Sequence, residues 1–303
     1  MKKILIFGSG GLVGSAVKRT FESDDNYKVF TPLRNEVDLF SFDETYNFIN
    51  KINPDWIINC AAKVGGILAN NTYRTEFLIE NLKINLNILE SCMGNNNINI
   101  INLGSSCIYP LNAENPIKES SFMDGKLEPT NSPYALAKIA AIELGKEIKY
   151  QYGNKIINLM PTNLYGPKDN FSEKDSHVIP GLIHRLSKNI DENSFEIWGT
   201  GKPLREFLYV YDLADCIKFI IESNMDEDLI NVGSGEEISI KNLALLISEI
   251  LNYNGDLFFN EEMPDGNPRK LLDSSLLRSY GWSPKTNLEE GLKQTVEWYL
   301  ANL

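Results

Sequence analysis

The stretch Lys3-Ile-Leu-Ile-Phe-Gly-Ser-Gly-Gly-Leu-Val-Gly14 (residues 3–14) decides the fold. It opens with an apolar run, Ile4 to Phe7, short enough for a strand buried in a parallel sheet. Glycines end the run, and an amphipathic helix is expected from there to about Phe21. Gly8 permits a tight turn, Gly11 lets backbone approach a pyrophosphate, and Gly14 lets the helix pack closely on the strand. With Ser9, Gly10, Leu12 and Val13 completing the loop, phosphates would rest on the free N–H groups of the helix N-terminus. The spacing is GxxGxxG, not GxGxxG, and a plain strand-to-helix turn is the alternative.

Working outward, strands are expected near 28–32, 55–61, 97–103 and 155–160, with long helices at 76–93 and 131–151 between them. This alternation predicts an α/β fold with a doubly wound parallel sheet. After Gly166 the rhythm changes. A polar loop with His177, a helix from Val178 to Lys188 and shorter strands suggest a smaller lobe interleaved with the first. The expected division is 1–165 for the nucleotide-binding part, with a returning segment at about 204–232, and 166–303 for the second lobe. The strand Arg205 to Asp212 is expected to rejoin the main sheet.

A chain of 303 residues can bury a full core, and its net charge of -12 argues against nucleic acid or an anionic membrane as partner. The apolar run at Ile4–Phe7 is too short for a secretory signal, and no segment approaches a membrane span. Cys60, Cys92, Cys107 and Cys216 lack metal spacing, and with two histidines in all no metal site is expected. Reduced thiols suggest a cytoplasmic setting.

The chemistry concentrates between Gly104 and Lys138. Gly104-Ser-Ser-Cys-Ile-Tyr-Pro110 follows a strand, and ligands bind at the C-terminal edge of such sheets, so Ser105 is either a site hydroxyl or a turn hydroxyl. Ser132-Pro-Tyr-Ala-Leu-Ala-Lys138 opens a helix, which sets Tyr134 and Lys138 about 6 Å apart along one face. Moving a phenol pKa from ~10 to ~7 takes about 4 kcal/mol, which a lysine ammonium in a partly dry cleft can supply. Arg34 stands some 20 residues past Gly14, where it could meet a 2′-phosphate or remain solvated. Asp38 could accept from an adenine amino group or serve as a turn residue.

The segments AAKVGGILANN (61–71), LGSSCIYP (103–110), LEPTNSPYALAKIA (127–140), MPTNLYGPKDNF (160–171), SHVIPGLIHR (176–185), GTGKPLREFLYVYDLA (199–214) and PDGNPRKLLD (264–273) span nearly the whole chain. In them the chain resembles the extended short-chain dehydrogenase/reductases, most closely the GDP-L-fucose synthase family. The resemblance implies an NADPH-dependent enzyme that epimerises a GDP-linked 4-keto sugar at C3 and C5 and then reduces the C4 ketone. By the same resemblance Ser105, Tyr134 and Lys138 form the reductase trio, and Cys107 and His177 the epimerase pair. A ketone acidifies the hydrogens on either side of it, and a thiol and an imidazole, with unperturbed pKa values of ~8.5 and ~6.5, can both move protons near neutrality.

The cofactor cleft implied by the family comprises the loop from Gly8 to Gly14 with Arg34, Asp38, Leu39, Leu103, Ser106, Lys138, Pro161, Asn163, Leu164 and His177. Arg185, Trp198, Arg205 and Asp265 would grip the GDP-sugar, and a homodimer through helices 76–93 and 131–151 is a family expectation. Two departures stand out. Ser9-Gly10 replaces bulkier polar or basic residues of some relatives, so a preference for NADP rests on Arg34. Where many relatives read VDD, this chain has Val210-Tyr211-Asp212, leaving Asp212 as the buried acid that starts a helix. Relatives that only reduce GDP-4-keto-heptoses, in bacterial capsule pathways, offer a second reading. A non-catalytic NADP sensor is a third, which the presence of Tyr134 and Lys138 disfavours.

Overall fold

The computed structural model describes residues 1–303 except Lys174, Asn224 and Pro264. Its elements follow in chain order. They are β1 (Lys2–Phe7), α1 (Leu12–Glu22), β2 (Tyr27–Phe30), α2 (Phe42–Ile52), β3 (Trp56–Asn59), α3 (Ile67–Thr72), α4 (Arg74–Cys92), β4 (Asn99–Leu103), α5 (Ser132–Tyr152), β5 (Ile156–Pro161), β6 (Asn163–Tyr165) and α6 (Val178–Lys188). There follow β7 (Ser194–Trp198), β8 (Leu204–Tyr209), α7 (Val210–Glu222), β9 (Leu229–Val232), β10 (Glu237–Ser239), α8 (Ile240–Ile250), β11 (Asp256–Asn260), β12 (Arg269–Lys270), α9 (Ser275–Ser279) and α10 (Leu288–Leu300).

Strand β1 explains the layering. Successive side chains on a strand point to opposite faces. Ile4 and Ile6 accordingly enter one apolar cluster with Ala16, Val17 and Phe21 of α1 and Ile217 and Ile220 of α7. Leu5 and Phe7 enter another with Ile49 of α2, Ile84 and Ile88 of α4 and Ile148 of α5. The sheet, ordered β2-β1-β3-β4-β5-β9 and parallel throughout, is therefore covered on both faces. This is a doubly wound α/β fold, as the alternation of elements predicts.

One strand lies elsewhere than expected. The segment predicted to rejoin the main sheet at 205–212 forms β8, which pairs instead with β6, β10 and β12. The free edge of β5 is taken by β9, whose four residues Leu229–Val232 are all buried, as a strand covered on both faces requires. The start of β8 is only half-buried. Helix α7, which follows β8, does return to the α1 face through Leu213, Ile217 and Ile220. A further cluster joins Ile179 and Ile183 of α6, Phe195 of β7, Leu243 of α8 and Val296 of α10.

Asp212, in the first turn of α7, is 4 % exposed. Its carboxylate accepts from the backbone N–H of Lys285 and Thr286 and from the Thr286 hydroxyl. Burial raises its pKa and these three donors oppose that rise. The adjacent Tyr211 accepts from Arg19 of α1 at 3.0 Å and lies under its guanidinium.

Candidate active site

The glycine loop fits the tasks its spacing assigns. Gly8 has φ +79°, and a Cβ there would meet the Ala61 backbone at 2.7 Å. A Cβ on Gly14 would collide with the Gly8 carbonyl, so helix and strand touch at this point. Gly11 is the N-cap of α1 with no side-chain cap, which leaves helix N–H groups for a ligand. Among the described residues, chain neighbours aside, no atom lies within 4 Å of a Cβ built on Gly10, so the loop's outer side is open. Leu12 and Val13 turn inward onto the core. The loop is thus an anion cradle of backbone donors, which fits the diphosphate of a dinucleotide.

Arg34 lies exposed in the turn after β2, beyond the sheet's edge strand. Asp38, also exposed, accepts the Phe40 N–H at 2.9 Å and so shapes its own turn. Leu39 packs on the α2–α4 side of the core. Pro161 ends β5, and the Asn163 amide donates to the Glu206 carbonyl at 2.8 Å, tying β6 to β8. Leu164 packs partly against the α1–α7 core.

Strand β4 delivers Leu103 and then Gly104, whose N–H donates to the Leu159 carbonyl at 2.8 Å. The chain turns into a short 3-10 stretch at Ser106–Ile108, and the Ser105 hydroxyl caps it by accepting the Cys107 N–H at 3.2 Å. Ser106 is buried. Helix α5 begins with Pro133 in its first turn and sets Tyr134 and Lys138 on the side facing this loop. Lys138 is 2 % exposed and its Nζ donates to the Leu103 carbonyl at 2.6 Å. The same Nζ lies 5.8 Å from the Tyr134 ring centroid, and Phe77 of α4 meets that ring edge-on.

Electrostatics here correct one expectation. The Tyr134 pKa lies above its ordinary value, not below it. Burial raises it, the nearby Cys107 adds to the rise, and a hydrogen bond with Ser105 works against it. The ammonium points at the Leu103 carbonyl and is itself desolvated, its pKa pushed down to about 8 with only the Cys60 thiol opposing. A phenol so placed stays protonated at neutral pH and is suited to giving a proton.

Ser105, Cys107, Tyr134 and Lys138 therefore converge. His177 is the N-cap of α6, on a loop joined to the 62–66 turn through the Gly66 N–H and the Asp175 carbonyl. The residue presents an exposed edge, yet the cleft walls desolvate its imidazole and hold the pKa below the ordinary value. No hydrogen bond links it to Cys107 among the described residues. Arg185 of α6 lies over Phe195, its guanidinium 5.3 Å from the ring centroid. Arg205 of β8 lies beside Asp265, and burial lowers the pKa of both arginines without removing their charge. Trp198 ends β7 with 62 % of its surface exposed, which leaves an aromatic face for a ligand. Both Asp265 oxygens accept from Thr200, one from its N–H and one from its hydroxyl, so this carboxylate also closes the 199–201 turn.

Lys270, which sequence reasoning left without a role, places its ammonium 3.8 Å from the Cys107 sulfur. Cys60, also unassigned, is partly buried beside Lys138, and its thiol is pushed up to about 12. The signal for Lys270 was a cation directly after the Asp265–Pro268 turn, but only tertiary pairing shows where it points.

Residues 4–233 match the model of the NAD dependent epimerase/dehydratase family. The chain belongs to that family. Within it, the chain is 44% identical to GDP-L-fucose synthase 1 of Arabidopsis thaliana, over 99% of this chain and 94% of that one. It is 41% identical to the GDP-L-fucose synthase of Escherichia coli K12, over 99% and 97% of the two chains. Among solved structures of the family, a GDP-mannoheptose C4 reductase from Campylobacter jejuni with NADP bound superposes with a TM-score of 0.90 at 33% identity, covering 99% and 98%.

Proposed function

We propose that this chain is an NADPH-dependent epimerase/reductase of a GDP-linked 4-keto-6-deoxy sugar, acting as GDP-L-fucose synthases do. The observation that carries the reading is the convergence of the Ser105 hydroxyl, the Cys107 thiol and the Tyr134 phenol at the C-terminal end of β4. Similarity to GDP-L-fucose synthases over nearly the full length supports the substrate class. The loop from Gly8 to Gly14, Arg34 and Lys138 would hold NADPH, which when bound supplies the hydride.

The protein's own groups do the rest. Ser105 orients the ketone oxygen, and Tyr134, kept protonated by burial, gives its proton to that oxygen. In the preceding epimerisation the same donors stabilise negative charge developing on the oxygen while Cys107 and His177 move protons at the neighbouring carbons. Burial lowers the His177 pKa, which makes its charged imidazole readier to give a proton up to carbon. Arg185 and Arg205 would pair with the diphosphate, which answers how an acidic protein holds a polyanion. Trp198 and Asp265 would face the guanosine.

This reading assigns cofactor binding to 1–165 with α7 and β9 as the returning segment, in place of the expected 204–232, and the sugar nucleotide to the rest of 166–303, β8 with Arg205 included. The separate apolar cluster around α6, α8 and α10 supports that division. It also takes the protein as a cytoplasmic homodimer. Ile79 and Leu86 on α4 and Leu136 on α5 are exposed apolar side chains on the helices expected to pair.

The second reading, a C4 reductase of a GDP-4-keto-heptose in capsule sugar synthesis, is favoured by the structural likeness to the C. jejuni reductase. Supplying GDP-4-keto-6-deoxymannose or the keto-heptose with NADPH, and following absorbance at the nicotinamide band, separates the two. Faster oxidation with the deoxymannose compound supports the first reading. Oxidation with neither refutes both.

A further inference from the structure

Strand β12 is only two residues long, yet it is fastened on both sides. Its backbone pairs with β8, Lys270 in register with Arg205. Immediately beyond it, the Leu271 N–H donates to the Asn115 side chain at 2.8 Å and the Leu272 N–H to the fully buried Glu206 at 3.1 Å. The Ile117 N–H returns a bond to the Leu271 carbonyl at 2.8 Å. The two side chains of the strand then diverge. Arg269 is taken by Glu237 through three hydrogen bonds. Lys270 enters no ion pair among the described residues and directs its Nζ to the Cys107 sulfur.

We infer that Lys270 is a positioning residue for proton exchange, its ammonium held against the Cys107 sulfur, where it stabilises the negative charge the sulfur carries once its proton has been given up. The inference rests on the reading of the site as one that works on a 4-keto sugar. An opposite charge within 4–6 Å favours the ionised form of a group. Among the described residues, Lys270 from β12 and Tyr134 from α5 lie beside this sulfur, Ser105 accepts the Cys107 N–H, and Arg205 on β8 is in register with Lys270. None of them is a carboxylate. A thiolate takes the proton from the carbon beside the ketone, and the C–H electron pair passes into an enolate whose oxygen lies against Ser105 and Tyr134. A proton from His177 then returns to carbon on the opposite face, and solvent restores both groups. Lys270 acts on the exchange and not on the hydride step.

The test reads the thiol directly. Iodoacetamide alkylation of the peptide bearing Cys107 is followed by mass spectrometry at neutral pH in wild-type protein, Lys270→Met and Lys270→Arg, with melting curves as the fold control. Because the thiolate is the nucleophile, Lys270→Met should slow alkylation about tenfold or more, and Lys270→Arg should stay within about threefold of wild type. Should the methionine variant fail to fold, Lys270→Gln carries the same comparison. Equal rates in wild type and the uncharged variant overturn the inference. With a GDP-4-keto sugar in D2O, the uncharged variant should lose carbon-bound exchange by a larger factor than it loses NADPH oxidation, and equal losses would overturn the role in exchange. Slowed alkylation in a variant of a protein whose wild type is inert to every GDP-4-keto sugar supports the pairing of Lys270 with Cys107 and overturns the ketosugar reading.

Discussion

The ammonium of Lys138 donates to the carbonyl oxygen of Leu103 at 2.6 Å, cross-linking helix α5 to the last residue of strand β4. This one bond joins the two pieces of backbone that carry Tyr134 and Ser105. With its pKa pushed down to about 8, Lys138 is mostly charged below that pH and mostly neutral above it. Reduction of the ketosugar should therefore fall as pH rises through about 8 if the charge is needed. Lys138→Met should reduce kcat/KM by roughly 100-fold or more and abolish that limb of the pH profile. A variant profile that still falls near pH 8 would assign the limb to another group.

Tyr134→Phe removes the proton donor and little else, because Phe77 meets the ring edge-on and the helix is unchanged. NADPH oxidation should drop by roughly 100- to 10,000-fold while NADPH affinity, read by fluorescence titration, stays within a few-fold.

Gly8→Ala meets two obstacles at once, a left-handed backbone and the Ala61 main chain. The variant should lose roughly 1–3 kcal/mol of stability and its NADPH binding together. Thermal melts with and without NADPH check both, since wild type should gain several degrees with the cofactor and the variant none.

Asp169, just after β6, buries one carboxylate oxygen without a partner among the described residues, and burial pushes its pKa up to about 7. A carboxyl raised in the fold binds a proton there that the unfolded chain, at ~3.9, has already lost. Its contribution to stability is therefore complete below pH ~4 and is lost as pH rises through about 7. Asp169→Asn has no such loss. Its stability relative to wild type should improve by roughly 4 kcal/mol between pH 4 and pH 8, measured by urea unfolding at each pH.

How far the sequence could be read depended on whether the signal was local. Strand β1, the glycine turn and α1 are local, and they lie where the run Ile4–Phe7 and the glycines at 8, 11 and 14 put them. Tyr134 and Lys138 needed only a helical period. Helix α2 was legible but passed over. Ser41 followed by Glu44 marks its start, and the Ser41 hydroxyl accepts the Glu44 N–H as N-cap. The pairing of β8 was not legible, because Leu204–Tyr209 and Leu229–Val232 are both short strands and tertiary packing chooses which completes the sheet. The approach of Lys270 to Cys107 spans 163 positions and leaves no mark in spacing. The raised phenol pKa comes from the burial of Tyr134, which helical spacing does not report.

The measurement that bears most directly on the central proposal is turnover of GDP-4-keto-6-deoxymannose by the purified protein with NADPH in D2O, the product examined by NMR. The account predicts one NADPH oxidised per sugar and deuterium at both C3 and C5 of a GDP-6-deoxyhexose whose C4 is now an alcohol. A ketosugar recovered unchanged, with NADPH intact, would contradict it.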